Sequence, residues 1–313
     1  MKYVFFGTPE FAAIILDGLI RANEPPLAVV CNPDRPVGRK KIIAPPPSKK
    51  IVELFNVAPA EAGVHASKKS ILILQPEKLD ADFQSHISRV KPDFAVVAAY
   101  SKIIPKAVIE LFPKGIIGVH PSLLPKYRGA SPIQSAILGG ETETGVTLYM
   151  LDEKVDHGPI LAQSNLSAKG GSASGGKSQI FPPKADPPRA ENLTYIELHD
   201  ELAKLGGKLL VETLLKFERG EIKPQPQDET KATYTKKFTG QDGFVSESDL
   251  QSAQNDNSKK AAEIDRKIRA LNPEPGAYTM QNGKRMKLLE ATIQNERLML
   301  KKVQEEGGKP RIL

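Results

Sequence analysis

The segment KYVFFGTPEFAAIILDGLIRA, Lys2 to Ala22, decides the fold. Lys2 to Phe6, KYVFF, read as a buried strand and Gly7-Thr8-Pro9 as a tight turn. From Glu10 the apolar residues recur at helical spacing, and Glu10 lies at the helix start, where the helix dipole favours a negative charge. The same alternation continues along the chain. LAVVC (27–31), ILIL (71–74), FAVVAAY (94–100) and GIIGV (115–119) are short apolar runs, and the helix-like PSKKIVELF (47–55) and AVIELF (107–112) lie among them. Strands alternating with helices predict an α/β fold with a parallel sheet. Ligands of such sheets bind outside the carboxyl ends of the strands.

That rule directs attention to KGIIGVHPSLLPKYRGASPIQSAI, Lys114 to Ile137. His120 stands where an apolar run gives way to a stiff, polar, proline-containing turn. It is either an ordinary buried side chain or an acid-base group at a strand end, and its place at the end of a strand favours the second.

At 313 residues, with 40% hydrophobic and 26% charged positions, the chain is long enough for two domains that each bury a core. Its lone cysteine, Cys31, excludes an intrachain disulfide and any Cys-rich metal site and fits a reducing compartment, so a cytoplasmic location is expected. The N-terminal apolar run meets Gly-Thr-Pro too soon to be a signal peptide. No apolar stretch reaches the ~18 to 20 residues that span a bilayer. No metal-ligating constellation is visible either.

The net charge of +7 favours a polyanionic partner only weakly. Its clustering says more. Arg35, Arg39, Lys40, Lys41, Lys49 and Lys50 fall in a segment with no acid, punctuated by Pro36, Gly38, Pro45, Pro46 and Pro47. Such a segment is expected to project from the fold rather than form a helix or strand, either as a solvated surface or as a contact for phosphates.

Two phosphate-loop patterns fail on context. The first turn, GTPEFA, lacks the second and third glycines of a dinucleotide fingerprint. GSASGGKS, Gly171 to Ser178, matches a P-loop letter for letter, but Pro182, Pro183, Pro187 and Pro188 follow it closely. A P-loop needs a helix starting at its Lys-Ser to aim N–H groups at the phosphates, and no helix can begin there. Residues 166–192 have instead the Gly/Ser/Lys/Pro composition of a flexible insertion.

Beyond it, LTYIELHDELAKLGGKLLVETLLKFERGE reads as a long amphipathic helix that Gly220 stops. After an extended connector and one short helix, AAEIDRKIRAL, come the strand-like pieces GAYTM, KLLEATIQ and RLMLKKV. Helix-poor, strand-rich material from about Ile222 predicts a small second domain, a barrel or sandwich. The expected division is 1–220 and 221–313.

The blocks FFGTPEFA, NPDRPVGRKK, LQPEKL, HPSLLPKYRGASPIQSAILGGETETGVTLYMLDEKVDHGPIL, QPQDETKATYTKK, EIDRKIRALNPEPGAYT and EEGGKP, in this order, resemble the methionyl-tRNA formyltransferase family nearly end to end. The HPSLLP-x-YRG core with its downstream Asp-x-Gly is shared with other enzymes that use 10-formyltetrahydrofolate. The PDRPVGR loop and the C-terminal blocks are what resemble the tRNA-specific members.

The resemblance implies a Rossmann-like N-terminal domain, a C-terminal β-barrel of the OB type that helps hold tRNA, and transfer of the formyl group of 10-formyltetrahydrofolate to methionine on initiator tRNA. The implied catalytic pair is His120 and Asp156, and the implied folate wall is Ser122, Leu123, Leu124 and Pro125. Arg39, with Lys40 and Lys41 beside it, takes the place of the acceptor-stem reader. The expected partners are initiator methionyl-tRNA and folate, with no membrane and a monomeric state. One departure bears on the chemistry. The family reads Asn-x-His where this chain has Gly118-Val119-His120, so a side-chain donor is missing and a substitute, or a weaker enzyme, is implied. A formyltransferase for a small amine such as an amino-sugar nucleotide, or a binding protein without catalysis, are the competing readings.

Overall fold

The computed structural model describes residues 1–38, 40–57, 70–167, 192–255 and 257–313. Arg39, the Gly171–Ser178 motif and nearly all of the 166–192 insertion lie outside the described residues. The chain forms two compact units. One takes residues 1–126, 145–164 and 200–232, the other residues 127–144, 165–199 and 233–313.

In chain order the first unit begins with β1 (Tyr3–Phe6), α1 (Glu10–Arg21) and β2 (Ala28–Val30). β1 and β2 are buried at every position, as strands covered on both faces must be. The turn between β1 and α1 admits only glycine: a Cβ on Gly7 would come within 2.5 Å of the Ala12 Cβ and 2.8 Å of the Ala98 carbonyl oxygen. An exposed antiparallel ribbon, β3 (Arg35–Val37) and β4 (Ile42–Ala44), leads into α2 (Pro47–Val57). The proline-rich basic segment is therefore regular rather than irregular. Pro36 is tolerated because the ribbon is exposed and narrow, and Pro47 suits the first position of a helix.

β5 (Leu72–Leu74), α3 (Ala81–Val90), β6 (Phe94–Ala98), a short α4 (Lys106–Ile109) and β7 (Ile116–His120) complete the alternation. Of AVIELF, then, only the start is helical. β8 (Arg128–Gly129) and α5 (Pro132–Gly139), which belong to the second unit, come next along the chain, and β9 (Glu143–Met150), β10 (Ile160–Ser167) and the long α6 (Tyr195–Glu218) follow. The central sheet has the order β10-β9-β7-β6-β1-β2-β5. Its β5-β2-β1-β6-β7 portion is parallel, the Rossmann-like arrangement. β9 then runs antiparallel to β7, so the sheet is mixed rather than purely parallel.

One face of the sheet buries Val4, Phe6, Ala28, Val30, Ala95 and Ile116 against Phe83, Ile87, Val108 and Phe112. On α6, Gly206 and Gly207 permit close approach: a Cβ on Gly206 would lie 3.1 Å from Val119 Cγ1 and one on Gly207 3.5 Å from the Ile15 Cα. That contact explains glycines in mid-helix, where they otherwise cost up to about 1 kcal/mol each.

The second unit contains β11 (Tyr234–Thr235), which pairs with β8, then α7 (Glu247–Asn255) and α8 (Ser258–Leu271). An antiparallel sheet of β12 (Tyr278–Gln281), β13 (Lys284–Gln294), β14 (Arg297–Glu305) and β15 (Arg311–Ile312) completes it. Its core joins Leu250, Ala253, Ala261, Ile264 and Ile268 from the helices to Met286, Leu288, Leu298 and Val303 from the strands. The region is less helix-poor than its sequence implies. α7, ESDLQSAQN, buries only Leu250 and Ala253 and so carries too little apolar periodicity to announce itself.

Candidate active site

β7 delivers His120 to the carboxyl end of the central sheet, where the side chain is buried. β9 lies antiparallel beside it with Gly118 opposite Tyr149 and His120 opposite Thr147. Period-2 alternation puts Thr147 and Tyr149 on one face, and both reach into the site.

Asp156 comes from the loop between β9 and β10. Its backbone has φ 48°, a conformation that non-glycine residues adopt only when their surroundings impose it. The surroundings are specific. A Cβ on Gly158 would fall 1.7 Å from the Met150 carbonyl oxygen, so the turn closes tightly on the end of β9, and Met150 N–H donates to Pro159 O at 2.8 Å. The Gln227 amide donates to the carbonyls of Asp156 and Gly158 at 2.9 and 2.8 Å. The loop thus carries the carboxylate back to the sheet edge, with Asp156 Oδ2 3.5 Å from His120 Nδ1. The Tyr149 hydroxyl donates to Asp156 Oδ1 at 2.6 Å. Burial, and then the Asp156 carboxylate, push the Tyr149 phenol well above its ordinary pKa, so it remains a donor.

His157, the neighbouring candidate, is engaged elsewhere. Its Nδ1 donates to Asp152 Oδ2 at 2.6 Å and its Nε2 lies 3.6 Å from Glu229.

The Ser122–Pro125 segment is pinned just beyond His120. Ser122 is buried, its N–H donates to His120 O at 2.9 Å and its hydroxyl to Lys126 O at 2.6 Å. Thr147 Oγ1 donates to Ser122 O at 2.7 Å and accepts from Leu124 N–H at 3.0 Å. Gln163 donates to both Leu124 O and Thr147 Oγ1. Leu124 is buried, while Leu123 and Pro125 are half-buried. A flat heterocycle needs fixed apolar walls of this kind, and the segment fits that requirement.

The structure therefore brings His120, Asp156 and the Ser122–Pro125 segment together in one unit. Lys40 and Lys41 belong to a different element, the exposed turn of the β3–β4 ribbon, where Lys41 N–H donates to Gly38 O at 3.2 Å. Of the other cations of that segment, Lys49 is held by Asp34 and Gln75, and Arg35 lies 3.8 Å from Glu77. Tyr149, Thr147, Gln163 and Gln227 were not singled out by sequence reasoning. Alternation in GVTLYM could have flagged the first two, while nothing local marks Gln163 or Gln227. Among the described residues no cluster of His, Cys, Asp or Glu is arranged to hold a metal ion, and no helix is long and apolar enough to cross a membrane.

The chain is similar to known proteins over most of its length. Residues 1–174 match the formyl transferase family and residues 254–309 its C-terminal domain. A methionyl-tRNA formyltransferase of Chloroflexus aurantiacus is 38% identical over 294 residues, covering 94% of this chain and 80% of the relative. Among solved structures, a methionyl-tRNA formyltransferase from Clostridium thermocellum superposes with TM-score 0.54 at 16% identity, covering 100% of this chain and 99% of that one. HypX from Aquifex aeolicus in complex with tetrahydrofolic acid superposes with TM-score 0.60 at 16% identity, covering 100% of this chain and 46% of that one.

Proposed function

The chain belongs to the methionyl-tRNA formyltransferase family, and we propose that His120 and Asp156 carry its reaction, the transfer of a formyl group from 10-formyltetrahydrofolate to the amino group of methionine on initiator tRNA. The observation that carries the assignment is the pairing of buried His120 with half-buried Asp156, 3.5 Å apart at the carboxyl end of the sheet. An amine attacking a formyl carbon builds negative charge on the formyl oxygen and leaves a proton on nitrogen, so the site needs a hydrogen-bond donor for the oxygen and an acceptor for the proton. An imidazole serves either purpose according to its protonation state. With Nδ1 turned to Asp156, that task falls to Nε2, and the carboxylate orients the ring. The folate supplies the formyl group. Ser122, Leu123, Leu124 and Pro125 support its placement by presenting fixed backbone and apolar side chains next to His120.

Arg39, together with Lys40 and Lys41 of the ribbon turn and the region from residue 221 onward, holds the tRNA in this reading. A cytoplasmic monomer completes it. A small-amine substrate is not favoured, because likeness to the tRNA-formylating relatives extends over 94% of the chain. The test is to mix the purified chain with 10-formyltetrahydrofolate and charged initiator tRNA. Formylmethionyl-tRNA is the expected product, at a rate that His120→Ala lowers by ~10² to 10⁴. Full activity of that variant would remove His120 from the chemistry.

A further inference from the structure

We infer that Tyr149 is a positioning residue of the transfer site: its ring fills the room left by Gly118, and its hydroxyl aims the Asp156 carboxylate at His120. The inference rests on the roles given above to His120 and Asp156.

Gly118 and Tyr149 face each other across β7 and β9. A Cβ on Gly118 would lie 2.3 Å from Tyr149 Cε1, 2.5 Å from Cζ and 2.9 Å from the phenol oxygen. The ring therefore lies directly over the Gly118 backbone, and any side chain at 118 would have to displace it. The absence of a side chain two residues before His120 and the presence of a large one opposite are two sides of one arrangement.

The polar end of that ring does the positioning. The phenol donates to Asp156 Oδ1 at 2.6 Å, while Oδ2 of the same carboxylate faces His120 Nδ1 at 3.5 Å. Fixing one oxygen of a planar carboxylate on a rigid strand restricts where the other can point. Gln227 holds the main chain of this turn, through the carbonyls of Asp156 and Gly158. Tyr149 secures the side chain. Polar control of the Asp156 side chain thus comes from the facing strand β9, while position 118 contributes only the room that the ring fills.

The test uses the full chain and the formylation assay. Tyr149→Phe keeps the ring and removes the hydroxyl. It should lower kcat by ~10- to 100-fold, the scale of losses from slight misplacement of a catalytic group. KM for charged tRNA and for 10-formyltetrahydrofolate should stay within about twofold, and the melting temperature close to that of the parent. A ring acting only as packing would leave kcat unchanged in this variant, and that result would overturn the inference. The shared space is tested separately by a double-mutant cycle on thermal stability. Gly118→Ala should destabilise the parent clearly more than it destabilises Tyr149→Ala, and additive effects would overturn the space-filling half. His120→Ala, assayed alongside, separates the two levels: parent-like turnover in that variant removes the site assignment and this inference with it. Parent-like turnover in Tyr149→Phe alone removes only the inference.

Discussion

In the proposed reading His120 and Asp156, 3.5 Å apart, act as a unit, and their substitution should show it. His120→Ala leaves the half-buried Asp156 carboxylate without its imidazole, whereas Asp156→Asn leaves the imidazole without the charged partner that orients it. Each should cost ~10² to 10⁴ in rate, and the double variant should be little worse than the more damaged single one, since the second group has nothing left to assist. Single-turnover formylation of the three variants measures this, and a multiplicative loss would mean that the two act independently. Of the two, only His120 was marked by the residues themselves, because it ends an apolar run, while Asp156 was named by the family resemblance. Their supports were not singled out. Gln227 reaches a carbonyl 71 residues away, and Tyr149 becomes a neighbour of Gly118 only through the register of β9 on β7. Long-range pairing of this kind leaves no local periodicity to read.

Among the elements, the strands and helices that alternate in the first unit were readable because burial on both faces makes each strand a continuous apolar run. The β3–β4 ribbon was not, since its proline content argues against a strand and its stability comes from one partner alone. Val37, Ile42 and Ile43 are exposed on it, next to a basic turn, a combination suited to an acceptor that offers both phosphates and base faces. Combined Lys40→Ala and Lys41→Ala substitution should raise KM for charged tRNA more than KM for 10-formyltetrahydrofolate, and the difference should shrink as salt rises. Equal effects on both substrates at low salt would show the ribbon to be only a solvated surface. The α6 glycines give a second prediction. Gly206→Leu gains ~1 kcal/mol of helix propensity, yet it forces a branched side chain where even a Cβ would sit 3.1 Å from Val119, and overpacking costs ~1 to 3 kcal/mol. The second effect wins, so the variant should melt several degrees below the parent. An unchanged or raised melting temperature would refute the close packing.

For the whole molecule, the excess of +7 charges says little until each cation is placed. Lys49, Lys260 and Lys302 are held by carboxylates, which leaves composition a poor guide to where a polyanion would rest. The sequence division near residue 220 likewise hides how the chain is shared out, because the contiguous stretch 127–144 joins residues 233–313 in one unit while residues 200–232 join the other. Contacts distant along the chain decide that sharing, and no compositional change marks it. The chain's single thiol has a practical use here. Cys31 is buried at the end of β2, with its N–H donating to Leu74 O at 3.0 Å. Burial pushes its pKa up to about 11, against the lowering influence of Ser48 and Lys49. At pH 8 only about one Cys31 in 10³ is therefore the thiolate, the form that reacts, and it is shielded as well. Iodoacetamide should label the native protein orders of magnitude more slowly than the urea-unfolded chain, and equal labelling rates would refute the burial. Because there is no second thiol to complicate the count, the label acts as a stopwatch: the moment it appears records when this edge of the sheet comes apart.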